Sequence, residues 1–420
     1  MTARQTNWAG NIVFRAQQVS RPASLAELQD LVGRFPHARV LGGGHSFNRI
    51  ADTPGLLVAL AGLPSEIDLD PGRCVVTVGG GVSYENLAPE LHRAGFALPA
   101  LGSLPQLTVA GAVATASHGS GDGCGNLATS VSAMELLTAT GERVTLSRDH
   151  DGDRFRGAVT ALGALGVVTR LTLDLEPTFQ LRQYVYEGLP AGTLSSHFDE
   201  IFGSGHSVSV FTDWQGGRHR QLWLKLRDGQ PVPPAGWMGT TPASEQVHPI
   251  PGQPPGNANS QLGRPGPWYE RLPHFRAGAT PSAGHELQTE YLLPRQLAAG
   301  AFESLAALAA ELRPVLQISE IRTVAPDDLW LSPSYQRDTV AVHFTWVPDP
   351  GAVTPVIAAV EGMLGPLGAR PHWGKLFGIP PHAVRALYPR SADFQALLRQ
   401  YDPAGKFRNG FLDKYFPAQT

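Results

Sequence analysis

Two stretches of this chain carry so little side-chain bulk that they limit what can lie against them. The first, Val40-Leu41-Gly42-Gly43-Gly44-His45-Ser46-Phe47-Asn48, reads as a β-strand running into a turn. Three consecutive glycines remove every Cβ from that turn. The backbone there can approach a pyrophosphate closely, and the N–H groups that follow can donate to it. The second runs Leu101-Gly102-Ser103-Leu104-Pro105-Gln106-Leu107-Thr108-Val109-Ala110-Gly111-Ala112-Val113-Ala114-Thr115-Ala116-Ser117-His118-Gly119-Ser120-Gly121, with a small residue at nearly every position. Such a backbone suits a flat ligand, and a tightly packed helix or turn is the competing reading. His45, at the end of the first turn, is by default an ordinary loop histidine.

Composition narrows the remaining classes. The 420 residues include 47 glycines and 36 prolines, about a fifth of the chain. Many turns and close backbone approaches are therefore expected. Only 16% of residues are charged and the formal net charge is −3, which gives no general basis for binding nucleic acid or an anionic membrane. Two cysteines, Cys74 and Cys124, exclude a disulfide framework. The start lacks a continuous apolar segment, and no run approaches the ~18 apolar residues of a membrane span. The reading is a cytoplasmic monomer. Lysines number four, Lys225, Lys375, Lys406 and Lys414, so each one stands out.

The first 177 residues alternate short strands with helical patterns. Arg39–Leu41, Cys74–Val78 and Val167–Leu173 read as strands. Ser24–Val32 and Ser83–Ala94 read as capped amphipathic helices. Beyond that point Val208–Phe211 and Gln221–Leu226 flank Gln215-Gly216-Gly217-Arg218, a hairpin signal. Residues 229–284 are rich in Pro and Gly but hold Trp237, Trp268, Tyr269 and Phe275, which favours an ordered surface excursion. Strands Glu286–Leu292, Ile318–Val324 and Val340–Val347 follow, with a helix over Leu297–Leu312.

Strand periodicity gives a second constellation. Glu320 and Arg322 share one face of their strand, as do His343 and Thr345, and Gln288 sits between Glu286 and Glu290 on its own. On any single strand a solvated face with surface ion pairs explains this. Three such strands together make a wall suited to a ligand composed of hydroxyls, each needing a donor or acceptor. Lys375 would complete it.

Common cofactor and hydrolase patterns are absent: there is no GxxxxGK[ST], CxxC, HExxH or GxSxG, and no metal is expected. The nearest dinucleotide match, Gly123-Cys124-Gly125-Asn126-Leu127-Ala128, follows no strand. Instead GGGHSFN, the SLPxxTVAGAVATxxHGSG stretch and Ala161-Leu162-Gly163-Ala164-Leu165-Gly166-Val167-Val168-Thr169 resemble the vanillyl-alcohol-oxidase type of FAD-binding protein. Within that type, His372-Trp373-Gly374-Lys375 and Asp402-Pro403-Ala404-Gly405-Lys406-Phe407 make the likeness greatest to the alditol oxidases, the xylitol and sorbitol oxidases.

The resemblance implies an α+β flavoprotein of two domains. Residues 1–177, completed by 376–420, would bind FAD, and 178–375 would form a substrate domain with a large antiparallel sheet flanked by helices. It implies a flavin attached through one histidine, His45, because Gly102, Ser103 and Leu104 replace the second attachment cysteine of doubly linked relatives. Leu41, Gly42, Gly43, Gly44, Ser46, Phe47, Gly102, Ser103, Thr108, Gly111, Ala114, Thr115, His118, Gly119, Gly166 and Val168 are the implied cofactor contacts. Ser103, Gln288 and Thr345 would bind an acyclic polyol, with Glu320, Arg322, His343 and Lys375 catalytic. Arg322 and Lys375 would stabilise the C1 oxygen, and either Glu320 or His343 would take its proton. Hydride would pass to the flavin and O2 would reoxidise it to give H2O2. Gln106 departs from the pattern, which has histidine there. A sugar-lactone oxidase or dehydrogenase, and an electron-carrying module, are the alternatives.

Overall fold

The computed structural model describes residues 5–280 and 282–418. Its N-terminal part is built on two sheets. Ala38–Leu41, Leu56–Ala59 and Gln18–Ser20 form a parallel three-stranded sheet with Leu56–Ala59 in the centre. Ile67–Asp70, Val75–Gly79, Val167–Asp174, Val131–Leu137 and Arg143–Ser147 form an antiparallel five-stranded sheet in that spatial order. The expected helices are present. Helix Leu25–Arg34 is capped by Ser24, whose side chain accepts from Glu27 N, while the Glu27 carboxylate accepts from Ala23 N at 2.8 Å. Its apolar stripe, Leu28, Leu31 and Val32, is buried. Helix Tyr84–Arg93 is capped by Ser83 and buries Leu87 and Leu91.

Residues 180–371 supply a nine-stranded sheet. The order is Thr241–Pro242, Gln180–Pro190, Arg218–Arg227, Ser207–Thr212, Leu316–Val324, Thr339–Trp346, Leu287–Pro294 and Arg370–Pro371, with Pro265–Pro267 also pairing to Gln180–Pro190. The hairpin expected around Gly216 and Gly217 forms, and both glycines have positive φ (69° and 68°), as a tight reversal needs. Strand alternation sorts the side chains of this sheet. Ile321, Val342, Phe344 and Trp346 pack with helices Ala298–Ala307 and Pro350–Leu364. Glu320, Arg322, His343 and Thr345 point to the opposite face, toward the N-terminal part.

Two expectations need correction. The helix read over Leu297–Leu312 is two helices, Ala298–Ala307 and Ala309–Leu312, which meet at Leu308. The eighteen residues Pro350–Leu367 have a mean hydropathy of 1.2, so one helical segment does reach span length and apolarity. Interspersed Gly and Pro hid it in the sequence. Its stripe of Val353, Ile357, Val360 and Leu364 packs into the core of the large sheet.

The excursion over 229–284 is ordered where described. Trp268 and Phe275 are buried, two of its segments extend the sheet edge, and Pro249, Ile250, His274, Phe275 and Ser282 reach the cleft described next. C-terminal helices Pro381–Leu387, Ser391–Tyr401 and Gly410–Tyr415 return to pack with residues of the five-stranded sheet.

Candidate active site

The two glycine stretches meet. A Cβ on Gly42 would lie 2.6 Å from Thr108 Oγ1, and one on Gly111 would lie 2.7 Å from the same atom. That hydroxyl caps helix Val109–Ala114 by accepting from Gly111 N. Only Cβ-free backbone lets the turn and the helix start approach this closely. Together they floor a cleft of about 270 Å³.

His372-Trp373-Gly374-Lys375 is fastened to the first turn. The Asn48 side-chain amide donates to the carbonyls of Trp373 (2.8 Å) and Lys375 (2.7 Å), and Phe47 N donates to Gly374 O at 2.8 Å. The same segment hydrogen-bonds along strand Leu287–Pro294, with His372 N to Glu290 O and Leu376 N to Gln288 O, both 2.9 Å. Lys375 is thereby set beside Glu290. At the other end, Gly121 N donates to Thr323 O at 3.0 Å and joins the second stretch to strand Leu316–Val324. Register does the rest: Glu320 and Glu290 both pair with His343, and Gln288 pairs with Thr345.

All the sequence-derived polyol-site residues line this one cleft: Ser103, Gln288, Glu320, Arg322, His343, Thr345 and Lys375. Leu41, Gly42, Gly43, Gly44, His45, Ser46, Phe47, Gly102, Thr108, Gly111, Ala114, Thr115, His118, Gly166 and Val168 line it too. Gly119 does not. A Cβ there would sit 2.5 Å from the Leu101 carbonyl oxygen, so backbone packing alone accounts for its smallness. Gly102 is less constrained than a turn glycine. An added Cβ would find nothing nearer than Leu107 Cδ1 at 3.7 Å.

Sequence reasoning missed the residue at the electrostatic centre. Glu290, 1% exposed, accepts from Lys375 Nζ at 2.7 Å and from Arg322 Nη2, and His118 Nε2 lies 3.4 Å away. Burial pushes its carboxyl up, but Arg322 and Lys375, helped by His118 and His343, outweigh burial and hold it well below the usual range. The missed signal was alternation itself, because Glu290 lies two residues beyond Gln288 on the same face. His274 and His372 also line the cleft; His274 comes from the unpatterned excursion and offered no periodic signal.

Glu320 is likewise held ionised. Burial opposes this, but Arg322 and His274 outweigh it. Its Oε1 accepts from His274 Nε2 at 2.7 Å and lies 3.7 Å from Arg322 Nε. Burial keeps the ring of His343 well below its ordinary value, with Lys375 adding to the effect, so that imidazole is neutral.

Five buried nitrogens on residues that line the cleft have no hydrogen-bond partner among the described residues: Arg39 Nε, His45 Nδ1, His118 Nε2, Arg322 Nε and His343 Nε2. Buried polar atoms are rarely left unsatisfied, and several converging on one cleft mark where ligands supply the partners. Burial also pulls His45 down to about 4, leaving its ring neutral. A neutral imidazole with a free Nδ1 beside a Cβ-free phosphate cradle fits a flavin dinucleotide well.

The comparisons agree with this geometry. Residues 16–147 match the FAD binding domain family and residues 284–415 match the D-arabinono-1,4-lactone oxidase family. The chain is similar in fold to cholesterol oxidase from B. sterolicum, with a TM-score of 0.80 over 99% of this chain and 96% of that one, at 17% identity. It is 29% identical over 423 residues to the L-gulono-1,4-lactone dehydrogenase of Mycobacterium tuberculosis, covering 97% of each protein. It is 51% identical over 415 residues to the alditol oxidase of Streptomyces sp. (strain IKD472 / FERM P-14339), covering 98% of this chain and 99% of that protein. At that identity over that span, and with an FAD-binding domain at its N-terminal end, the chain belongs to the alditol oxidase family of flavoproteins.

Proposed function

We propose that this protein oxidises the terminal hydroxyl of an acyclic polyol of the xylitol or sorbitol type to the aldose, with O2 as the final acceptor. The balance is RCH2OH + O2 → RCHO + H2O2. Bound FAD supplies the two-electron acceptor and the route to O2. The observation that carries the reading is the convergence of Ser103, Gln288, Glu320, Arg322, His343, Thr345 and Lys375 on one cleft. A hydroxyl both donates and accepts, and this wall offers donors and acceptors together. Arg322 and Lys375 stabilise the alkoxide-like charge that forms on the C1 oxygen as its proton leaves, ahead of hydride loss from carbon. Glu290 keeps both cations in place.

Of the two candidates for the hydroxyl proton, His343 is favoured. It is neutral and its Nε2 is uncommitted, whereas Glu320 is already bonded to His274. Glu320 Oε2, Ser103, Gln288 and Thr345 then hold the substrate hydroxyls. We also propose a single covalent link from His45 Nδ1 to the flavin, and a division into an FAD domain of 1–177 with 376–420 and a substrate domain of 178–375. Flavin that remains with acid-precipitated protein supports the link, and flavin released wholly to the supernatant refutes it.

The test of function is to incubate purified protein with xylitol, sorbitol, glycerol and an aldonolactone while following peroxide. Turnover of polyols is expected. The match of residues 284–415 to the lactone oxidase family sustains the second reading, and turnover of the lactone alone would establish it. A yellow protein that oxidises none of them is an electron-carrying module.

A further inference from the structure

Behind the cleft wall, Glu320 is backed by a chain of hydrogen bonds that the reaction above leaves unused. His274 Nε2 lies 2.7 Å from Glu320 Oε1, and His274 Nδ1 lies 3.2 Å from Lys225 Nζ. Lys225 Nζ also donates to the Leu272 carbonyl. The exposures of Lys225, His274 and Glu320 are 1%, 4% and 3%. Each comes from a different part of the fold: strand Arg218–Arg227, the excursion over 229–284, and strand Leu316–Val324. The edges of Phe211 and Trp223, with ring centroids 5.5 and 5.3 Å away, hold the imidazole in place. Lys225 does not line the cleft. Burying one of only four lysines this deeply is costly unless it has a task.

The chemistry of the chain runs one way. An ammonium has donors and no acceptor, so Nδ1 of His274 must receive a hydrogen bond from Lys225. The single ring proton of the neutral imidazole then sits on Nε2, aimed at the carboxylate. The opposite tautomer would set a bare nitrogen against Glu320 Oε1. Burial brings Lys225 down to about 7, with Glu320 holding its proton on and Arg322 adding to burial. A neutral amine still donates to Nδ1, so the tautomer survives either charge state. With Oε1 pinned, Glu320 Oε2 makes no hydrogen bond among the described residues, and its own residue faces the cleft.

We propose that Lys225 and His274 are positioning residues that fix the Glu320 carboxylate, the lysine by setting the imidazole tautomer and the imidazole by holding Oε1, so that Oε2 is presented to a substrate hydroxyl. This rests on the reading of Glu320 as a polyol contact. The imidazole is the link that a different side chain can imitate. Glutamine at 274 retains an amide N–H for Oε1 and an amide oxygen for Lys225, whereas leucine retains neither.

The test joins spectroscopy to kinetics. In 15N-histidine NMR of the holoenzyme, the His274 signals, assigned by their loss in His274→Gln, should show an unprotonated Nδ1 and a protonated Nε2. In Lys225→Met only the carboxylate still favours the Nε2–H form, so the share of that tautomer should fall, and kcat/KM for xylitol should fall about tenfold, the size of one hydrogen bond to a charged group. His274→Leu should lose at least as much, and His274→Gln should keep most of the parental value. A protonated Nδ1 in the parent overturns the inference, and that measurement needs no variant to fold. So does an unchanged kcat/KM in Lys225→Met, or equal losses in His274→Gln and His274→Leu. Full polyol turnover by Glu320→Gln would instead overturn the reading of Glu320 itself, with the relay tautomer still observed, and the inference would go with it.

Discussion

Glu290→Gln removes one negative charge and almost no volume from the centre of the site. Two cations depend on that charge, Lys375 at 2.7 Å and Arg322 through its Nη2. Lys375 already sits below its ordinary value because burial outweighs Glu290, the largest group keeping it protonated. The cationic form is the one that stabilises an alkoxide, so the rate falls as pH rises through the Lys375 pKa. Losing Glu290 lowers that pKa further and moves the alkaline limb to lower pH. A hydrogen bond between charged groups is worth about 1.5–3 kcal/mol, and one pKa unit is about 1.4 kcal/mol. The limb should therefore move by about one to two units, taking about 10- to 100-fold off the rate above it. Orphaning buried cations also destabilises, by about 3–5 kcal/mol when one partner of a buried pair is removed, so the melting temperature should drop. The assay is the anaerobic rate of flavin reduction at saturating xylitol across pH, by stopped flow. An alkaline limb and a rate unchanged from the parent would refute the assignment of Lys375 as the charge stabiliser that Glu290 sustains.

Gly102→Val should leave anaerobic reduction by polyol largely intact and slow reoxidation by O2; a Cβ there meets only ordinary contacts, and equal reoxidation rates would place the O2 path elsewhere. Ser103→Ala should weaken xylitol binding by about 0.5–1.5 kcal/mol, the value of a neutral hydrogen bond, and shows up in KM before kcat. Gly80→Ala should fail to yield flavin-loaded protein, because its Cβ would lie 2.1 Å from the Val168 carbonyl oxygen at the cleft wall; normal absorbance of bound flavin would contradict that. With His343 held neutral well below its ordinary value, protonation of this base should not set an acid limb near pH 6.5, and a limb there that vanishes in His343→Gln would show otherwise.

Local rules reached far in this sequence because both halves of the site are written in patterns of short range. Period-2 alternation put Glu320 with Arg322 and His343 with Thr345 on one face, whereas His45 was singled out by the family resemblance, the glycine turn alone leaving it an ordinary loop histidine. What escaped depended on distance in the chain. Glu290 was visible as a neighbour of Gln288, but its role appears only when register brings Arg322 and Lys375 to it. His274 and Lys225 escaped because one lies in a segment without periodicity and the other looks like any strand residue. Gly119 was assigned to the cofactor by the company it keeps, and three-dimensional packing against Leu101 gives it a different reason to be small.

Asn48 joins the glycine turn to the backbone of Trp373 and Lys375, across more than three hundred residues of chain. The proposed cofactor cradle and the proposed substrate cation are therefore tied to each other by direct hydrogen bonds. A part of the cleft that stands outside this link is the excursion that brings Pro249, Ile250, Phe275 and Ser282 to its wall. Under the proposed function, insertions or exchanges there would change which polyols are accepted while sparing the glycine turn, so new substrate ranges are to be sought in that loop first.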